Sequence, residues 1–116
     1  MQRWTTHRGD EWFYADRWGR ATASAGPTSV SIESIEPIDG KLTGIHLHEL
    51  LWSAYQRFRG TSLLCYVDDV TRPVLEDLTR RGIIRWEVVQ SPYSQDARVL
   101  AIEPFPTSGS SSTRRR

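Results

Sequence analysis

The chain has 116 residues, a formal net charge of +1 and 38% hydrophobic residues. That length suits one domain, and the single cysteine excludes an internal disulfide. The N-terminal residues lack the apolar core of a signal peptide, and no run of about 18 apolar residues occurs further on. We therefore expect a cytoplasmic protein without a membrane-spanning segment.

The net positive charge comes from the C-terminus. Without Arg114, Arg115 and Arg116 the chain has 12 basic and 14 acidic residues, so its body is slightly acidic. A dedicated nucleic-acid-binding domain normally carries a basic surface. The charge pattern therefore argues against nucleic acid as a partner, and it predicts only non-specific affinity of the tail for acidic surfaces.

Hydrophobic spacing predicts a mixed α/β domain over 11–103. Apolar residues at helical spacing over 47–58 indicate a first helix, and a second helix fits 72–81. We expect Thr71 to cap the second helix and Gly82 to follow its end. The predicted order is β-β-β-α-β-α-β-β, with one right-handed parallel crossover at its centre. Strands are expected at 11–16, 17–24, 28–36, 62–67, 83–89 and 97–102.

Three segments lack the spacing of buried residues. We expect a flexible N-terminus over 1–10 and a disordered, arginine-tipped tail over 104–116, which is rich in Pro, Ser and Thr. Residues 91–96 read Ser-Pro-Tyr-Ser-Gln-Asp and predict the loop of a hairpin.

The strand predicted over 28–36 changes face along its length. Val30 and Ile32 have one parity, whereas Ile35 has the other. A β-bulge produces this pattern, and so does an irregular strand end.

The turn between this strand and the first helix contains two glycines: residues 40–46 read Gly-Lys-Leu-Thr-Gly-Ile-His. A short turn that opens a helix leaves backbone N–H groups without partners at the positive end of the helix dipole. Such donors suit a phosphate, so the turn is a candidate anion site. The alternative is a plain surface turn in which Gly44 supplies a special backbone angle.

The element order and this turn resemble the GCN5-related N-acetyltransferase (GNAT) family over residues 11–103. The family's turn has the form Arg/Gln-x-x-Gly-x-Gly/Ala, and the matching positions here are Lys41, Gly44 and His46. Ile35 and Pro37 match the hydrophobic-x-Pro pattern at the end of the preceding strand. The resemblance implies a truncated GNAT-like domain with a degenerate motif, which moves an acetyl group from acetyl-CoA to an amine.

The resemblance also implies roles for individual residues. The turn amides would hold the pyrophosphate of acetyl-CoA, and the backbone of residues 35–36 would align the pantetheine. A carboxylate on the same strand would accept the amine proton. Leu78 occupies the position of the family's Tyr general acid, which leaves Tyr66 as the candidate acid. The implied cofactor-binding residues are Ile35, Lys41, Leu42, Thr43, Gly44, Ile45 and His46, and the implied catalytic residues are Glu33, Glu36 and Tyr66.

Several of these residues also fit ordinary structural roles. Glu33 and Glu36 suit exposed positions on a strand. His46 and His48 are two residues apart on a helix and point in different directions, so we predict no metal site. Cys65 lies in an apolar run, which favours a buried, inert thiol over a nucleophile.

Two other functions fit parts of the sequence. Residues 70–104 resemble the end of a winged-helix DNA-binding domain, an interpretation that requires a helix over 62–67. A degenerate, non-catalytic module that presents large aromatic rings to a protein partner is the other alternative. Its candidate contact residues are Trp4, Trp12, Trp18 and Trp52.

Overall fold

The computed structural model describes residues 3–90 and 98–105. These residues form one sheet of seven strands and two helices. No helix in this part of the chain is long and apolar enough to cross a membrane. The elements are β1 (Trp4–Arg8), β2 (Glu11–Asp16), β3 (Gly19–Ala25), β4 (Ser29–Pro37), α1 (Gly44–Arg57), β5 (Ser62–Tyr66), α2 (Thr71–Arg80), β6 (Ile84–Gln90) and β7 (Arg98–Pro104).

The sheet is mixed, and its spatial order is β1-β2-β3-β4-β5-β7-β6. Neighbouring strands are antiparallel except for β4 and β5, which are parallel. A parallel pair requires a crossover connection, and α1 supplies it. The predicted fold class, a single mixed α/β domain, is confirmed with one strand more than expected.

Both helices lie on one face of the sheet. Leu47 and Leu51 of α1 and Leu75 of α2 are buried in the same cluster as Ile32 of β4 and Leu100 of β7. The alternate strand residues point away from this cluster. We call that opposite side the open face, because no described helix packs on it. Its residues include Phe13, Arg20, Thr22, Ser24, Ser31, Glu36, Leu64, Tyr66 and Val99.

Trp4–Arg8 forms β1, a strand that was not predicted and that lies inside the segment 1–10. Trp4 is 4% exposed, and its ring meets the Phe58 ring with centroids 5.5 Å apart. Its Nε1 donates a hydrogen bond to Ser53 Oγ at 3.0 Å. The burial of the Trp4 ring, whose Nε1 has a hydrogen-bond partner, therefore stabilises β1, although its sequence shows little alternation of apolar and polar residues.

The predicted β-bulge is confirmed in β4. Thr22 of β3 pairs with Ser34, and the next residue, Ala23, pairs with Ile32, so Glu33 is the extra residue. The shift turns Ile35 to the helix side, where it is 8% exposed. The bulge therefore keeps the apolar residues before and after it on the same face.

The start of α2 differs from the prediction. Thr71 is the first residue of the helix and not its N-cap. The Asp68 carboxylate accepts hydrogen bonds from the backbone N–H of Val70 and of Thr71, at 3.0 and 2.9 Å. At the other end Gly82 has a φ of +76°, so the helix closes at the predicted glycine.

The winged-helix interpretation requires a helix over 62–67. The structure has β5 there, inside the sheet and parallel to β4.

β7 runs to Pro104, one residue into the predicted tail. The loop predicted over 91–96 and the tail after Phe105 lie outside the described residues.

Gly19 marks a close approach between β3 and the end of β4. A Cβ atom on Gly19 would lie 2.5 Å from the Glu36 carbonyl oxygen and 2.9 Å from Pro37 Cα. Backbone atoms cannot move aside as a flexible side chain does. We therefore expect Gly19→Ala to lower the free energy of unfolding by about 1–3 kcal/mol, measured by urea denaturation.

Gly26→Ala is the matched control. A Cβ atom on Gly26 would meet only the Ser29 carbonyl oxygen, at the ordinary distance of 3.5 Å. We expect no loss of stability in this variant. Equal losses in the two variants would contradict the close approach at Gly19.

Candidate functional site

Local hydrogen bonds build the turn before α1. Gly40 has a φ of +78°, which glycine adopts without strain. The Asp39 carboxylate accepts a hydrogen bond from the Lys41 N–H at 3.1 Å. Thr43 is the N-cap of α1, and its hydroxyl accepts from the His46 N–H at 3.2 Å. These bonds fix the direction in which α1 begins.

The Thr43 hydroxyl accepts a hydrogen bond from only one of the backbone N–H groups in the first turn of α1. Within residues 3–90 and 98–105, no acceptor is bonded to the backbone N–H of Gly44 or of Ile45. The first turn of α1 carries no acidic side chain, and Ile45 is 79% exposed. Two unbonded donors therefore lie at the positive end of α1, an arrangement that suits an anion.

Side chains occupy two sides of this helix start. The His46 ring stacks on Trp18, with centroids 5.1 Å apart and an interplanar angle of 4°, so it is directed at the β2–β3 connection. Gly44 faces α2, where an added Cβ atom would lie 3.3 Å from Leu78 Cδ2. The Trp18 and Leu78 side chains therefore limit the directions from which a ligand can reach the N–H groups of Gly44 and Ile45.

The other predicted turn residues differ in their surroundings. Leu42 is half-buried and packs against the core, whereas the Lys41 side chain is exposed. The structure therefore brings the turn residues together as a backbone unit. It does not gather their side chains around one point.

β4 extends beyond the end of β5. Their parallel pairing ends at Ile32 and Cys65, and β5 itself ends at Tyr66, whereas β4 continues to Pro37. Over this last part the described strand pairs only with β3. The backbone groups of Glu36 point to β3, so by alternation those of Ile35 point to the side without a described partner strand, and the turn to α1 follows directly.

The two candidate bases lie on the open face. Glu33 accepts a hydrogen bond from the Ser24 hydroxyl at 3.1 Å. A carboxylate oxygen of Glu36 lies 3.6 Å from a guanidinium nitrogen of Arg20, and both side chains are largely exposed. Both contacts are at the surface and are weak, so the two carboxylates remain accessible to a ligand.

Tyr66 also points to the open face. It pairs with Val99, whereas the next pair, Cys65 and Leu100, belongs to the cluster on the helix side. The three candidate catalytic side chains thus share one face near the end of β5. The unbonded donors belong to α1, which packs on the opposite face.

The histidines have structural contacts of their own. His48 is 8% exposed, and its Nε2 donates to the Phe105 carbonyl at 2.6 Å, which ties α1 to the end of β7. His46 is held by the stack on Trp18. The described part of the chain contains no group of three or more His, Cys, Asp or Glu side chains that could hold a metal ion.

A cavity of about 440 Å³ lies away from the α1 turn. It is found where β5 and β7 diverge, because their pairing ends at Leu64 and Ala101 while β7 continues to Pro104. Tyr55 and Trp86 contribute aromatic walls. No sequence pattern indicated this cavity, and it contains none of the predicted site residues.

Comparison of the chain with protein-family models, curated proteins and solved structures yields no match.

The largest changes in pKa occur in the core. Burial raises the pKa of the Tyr14 phenol and of the Cys65 thiol to about 12 in each case. Cys65 is fully buried, as predicted, so its thiolate is strongly disfavoured. A nucleophilic role for this cysteine therefore has no support in the geometry.

The burial of Cys65 predicts a loss of stability in alkali. In the unfolded chain the thiol ionises near its ordinary pKa of 9.0, whereas the folded protein retains the proton up to about pH 12. The stabilising contribution is complete below pH 9.0 and is lost as the pH rises toward 12. We expect Cys65→Ala to flatten the slope of unfolding free energy against pH above 9.0, measured by urea denaturation.

The Tyr14→Phe variant serves as the control for this slope. Because the ordinary pKa of Tyr14 is 10.0, its contribution begins at higher pH, and the variant retains the slope just above pH 9.0. Rapid reaction of the native thiol with a disulfide reagent at neutral pH would contradict the burial of Cys65.

Proposed function

We propose that this protein is a GNAT-like N-acyltransferase that moves an acetyl group from acetyl-CoA to an amine. The observation that carries the proposal is the part of β4 after the bulge of Glu33, which has no described partner strand on its β5 side and leads directly into the turn before α1. A bulged strand joined through a glycine-bearing turn to a helix, and followed by a parallel strand, supports the resemblance stated from the sequence.

The donors at the start of α1 fit the pyrophosphate. The unbonded N–H groups of Gly44 and Ile45 lie at the positive end of the helix, and no first-turn carboxylate competes for them. The backbone of Ile35 and Glu36, which has no partner strand on the β5 side among the described residues, aligns the pantetheine along β4.

The open face supplies the acid–base groups. Acetyl-CoA provides the acyl group as a thioester. The amine nitrogen attacks the thioester carbon, a C–N bond forms and the C–S bond breaks. Glu33 or Glu36 accepts the amine proton, directly or through water, and Tyr66 donates a proton to the departing thiolate. The products are the N-acetylated amine and the free CoA thiol, and exchange with solvent returns one proton from the carboxyl to the tyrosinate.

Ile45→Glu tests the pyrophosphate contact. The new carboxylate repels the phosphates, so acetyl-CoA should no longer raise the melting temperature. In the wild type, ligand at 100 times Kd stabilises the native state by about 2.7 kcal/mol. Thermal unfolding with and without acetyl-CoA measures the difference.

Ile45→Gln is the neutral control of similar size. It should retain the thermal shift, and both variants should fold, since Ile45 is largely exposed and a carboxylate at a helix N-terminus is favourable. Equal shifts for the Glu and Gln variants would contradict binding at this turn.

Glu33→Gln, Glu36→Gln and Tyr66→Phe separate binding from chemistry. Each variant should keep the acetyl-CoA thermal shift. Loss of the working base should lower acetyl transfer to a primary amine by roughly 10²–10⁴-fold at neutral pH. The measurement is the release of free CoA thiol in the presence of a panel of primary amines.

The same assay discriminates the alternative function. An acetyl-CoA shift without thiol release in the wild type would favour a non-catalytic, degenerate GNAT-like module. Full activity in all three variants would contradict the assigned acid–base residues but not the binding site.

A further inference from the structure

β6 is an edge strand of the described sheet. It pairs with β7 along all seven residues, without a bulge, and no described strand lies on its other side. An edge strand presents unpaired N–H and C=O groups that can pair with another strand.

The direction of these backbone groups follows from one hydrogen bond. The Phe105 N–H donates to the Ile83 carbonyl at 3.1 Å, so the backbone groups of Ile83 point toward β7. By alternation, those of Trp86 and Val88 point outward. No acceptor among the described residues is bonded to the N–H of Trp86 or of Val88.

The opposite edge of the sheet is protected. β1 has a register shift between Thr6 and Arg8 where it pairs with β2, so its edge is irregular. Arg3 and Arg8 also place exposed cations at its two ends. Bulges and charges of this kind hinder edge-to-edge pairing, and β6 lacks the bulge.

We propose that β6 is a homodimer interface, in which the β6 strands of two copies pair antiparallel about a two-fold axis at Trp86. This register makes Trp86 a hydrogen-bonded pair with its symmetry mate, as its outward backbone groups require. It places Arg85 opposite Glu87 of the partner subunit, twice by symmetry. Opposite charges in directly opposed positions are favourable.

The neighbouring registers are disfavoured by the same charges. A two-fold axis at Glu87 would set two carboxylates opposite each other, and an axis at Arg85 would oppose two guanidinium groups. The sequence of β6 thus selects one of three adjacent axes. Glu87 has no ion partner among the described residues, so it is available for the contact. Arg85 lies 2.8 Å from Glu103 of β7, so in the dimer its guanidinium is shared between Glu103 and Glu87 of the partner subunit.

Apolar surface accompanies the charge pattern. Val88 is 64% exposed, on the helix side of the edge strand, and the proposed register sets it opposite Ile84 of the partner subunit. Val88 also lines a small cavity of about 40 Å³ beside Val67 and Leu75. Pairing would cover this exposed valine and the edge of that cavity.

Charge reversal at Arg85 or at Glu87 tests the proposed register. Glu87→Arg alone opposes two cations at each symmetric position, and Arg85→Glu alone opposes two carboxylates. Each single variant should weaken the dimer at least about tenfold in Kd, measured by sedimentation velocity of the full chain. An equimolar mixture of the two variants should restore dimerisation, since every opposed pair is then attractive.

Two control variants accompany the mixture. Glu11→Arg makes the same charge change on β2 and should leave the dimer intact, whereas Val88→Lys, at an exposed position, should weaken it. A wild-type protein that sediments as a monomer at all concentrations would overturn the proposal. A dimer that is unaffected by Glu87→Arg and Val88→Lys, or single variants that fail to complement each other, would overturn it as well.

Discussion

The parallel pairing of β4 with β5 is the constraint on which the rest of the structure depends. It covers only Ser29–Ile32 and Ser62–Cys65, yet it forces the chain to cross the sheet through α1. That crossover buries Leu47 and Leu51 against the sheet and leaves the start of α1 beside the end of β4. The bulge at Glu33 lies directly after the last paired residue, where β5 no longer accompanies β4. The short parallel ladder therefore determines where the turn and the start of α1 lie relative to the unpaired end of β4.

Most of the fold could be predicted because its elements carry strong local signals. The leucines of α1 repeat at helical spacing, and the parity change from Ile32 to Ile35 is the pattern that a β-bulge or an irregular strand end produces. β1 could not be predicted, since it depends on the burial of Trp4 against residues of α1 far along the chain. The predicted cap of α2 was wrong, because Thr71 is the first helical residue and exchanges hydrogen bonds with Asp68. Local patterns thus located most elements, whereas β1 depends on tertiary contacts.

The candidate site was predictable only where backbone geometry determines it. A glycine-bearing turn before a helix implies free donors, and the structure has two of them at Gly44 and Ile45. No spacing rule could place His46 on Trp18 or Leu78 against Gly44, because each contact joins separate elements. The grouping of Glu33, Glu36 and Tyr66 on the open face likewise required the strand order and the register. The proposed acetyl-CoA site therefore depends more on backbone N–H groups, which the sequence pattern could indicate, than on side chains, which it could not place.

Backbone amide chemical shifts during a titration with acetyl-CoA test the central claim most directly. The account predicts that the largest changes fall on the N–H groups of Gly44, Ile45 and Ile35, since the Ile35 N–H lies on the side of β4 that has no described partner strand. The N–H groups of β1 and β2, which β3 separates from β4, should change little. Absent shifts at saturating acetyl-CoA, or shifts confined to residues around the cavity at Tyr55 and Trp86, would contradict it.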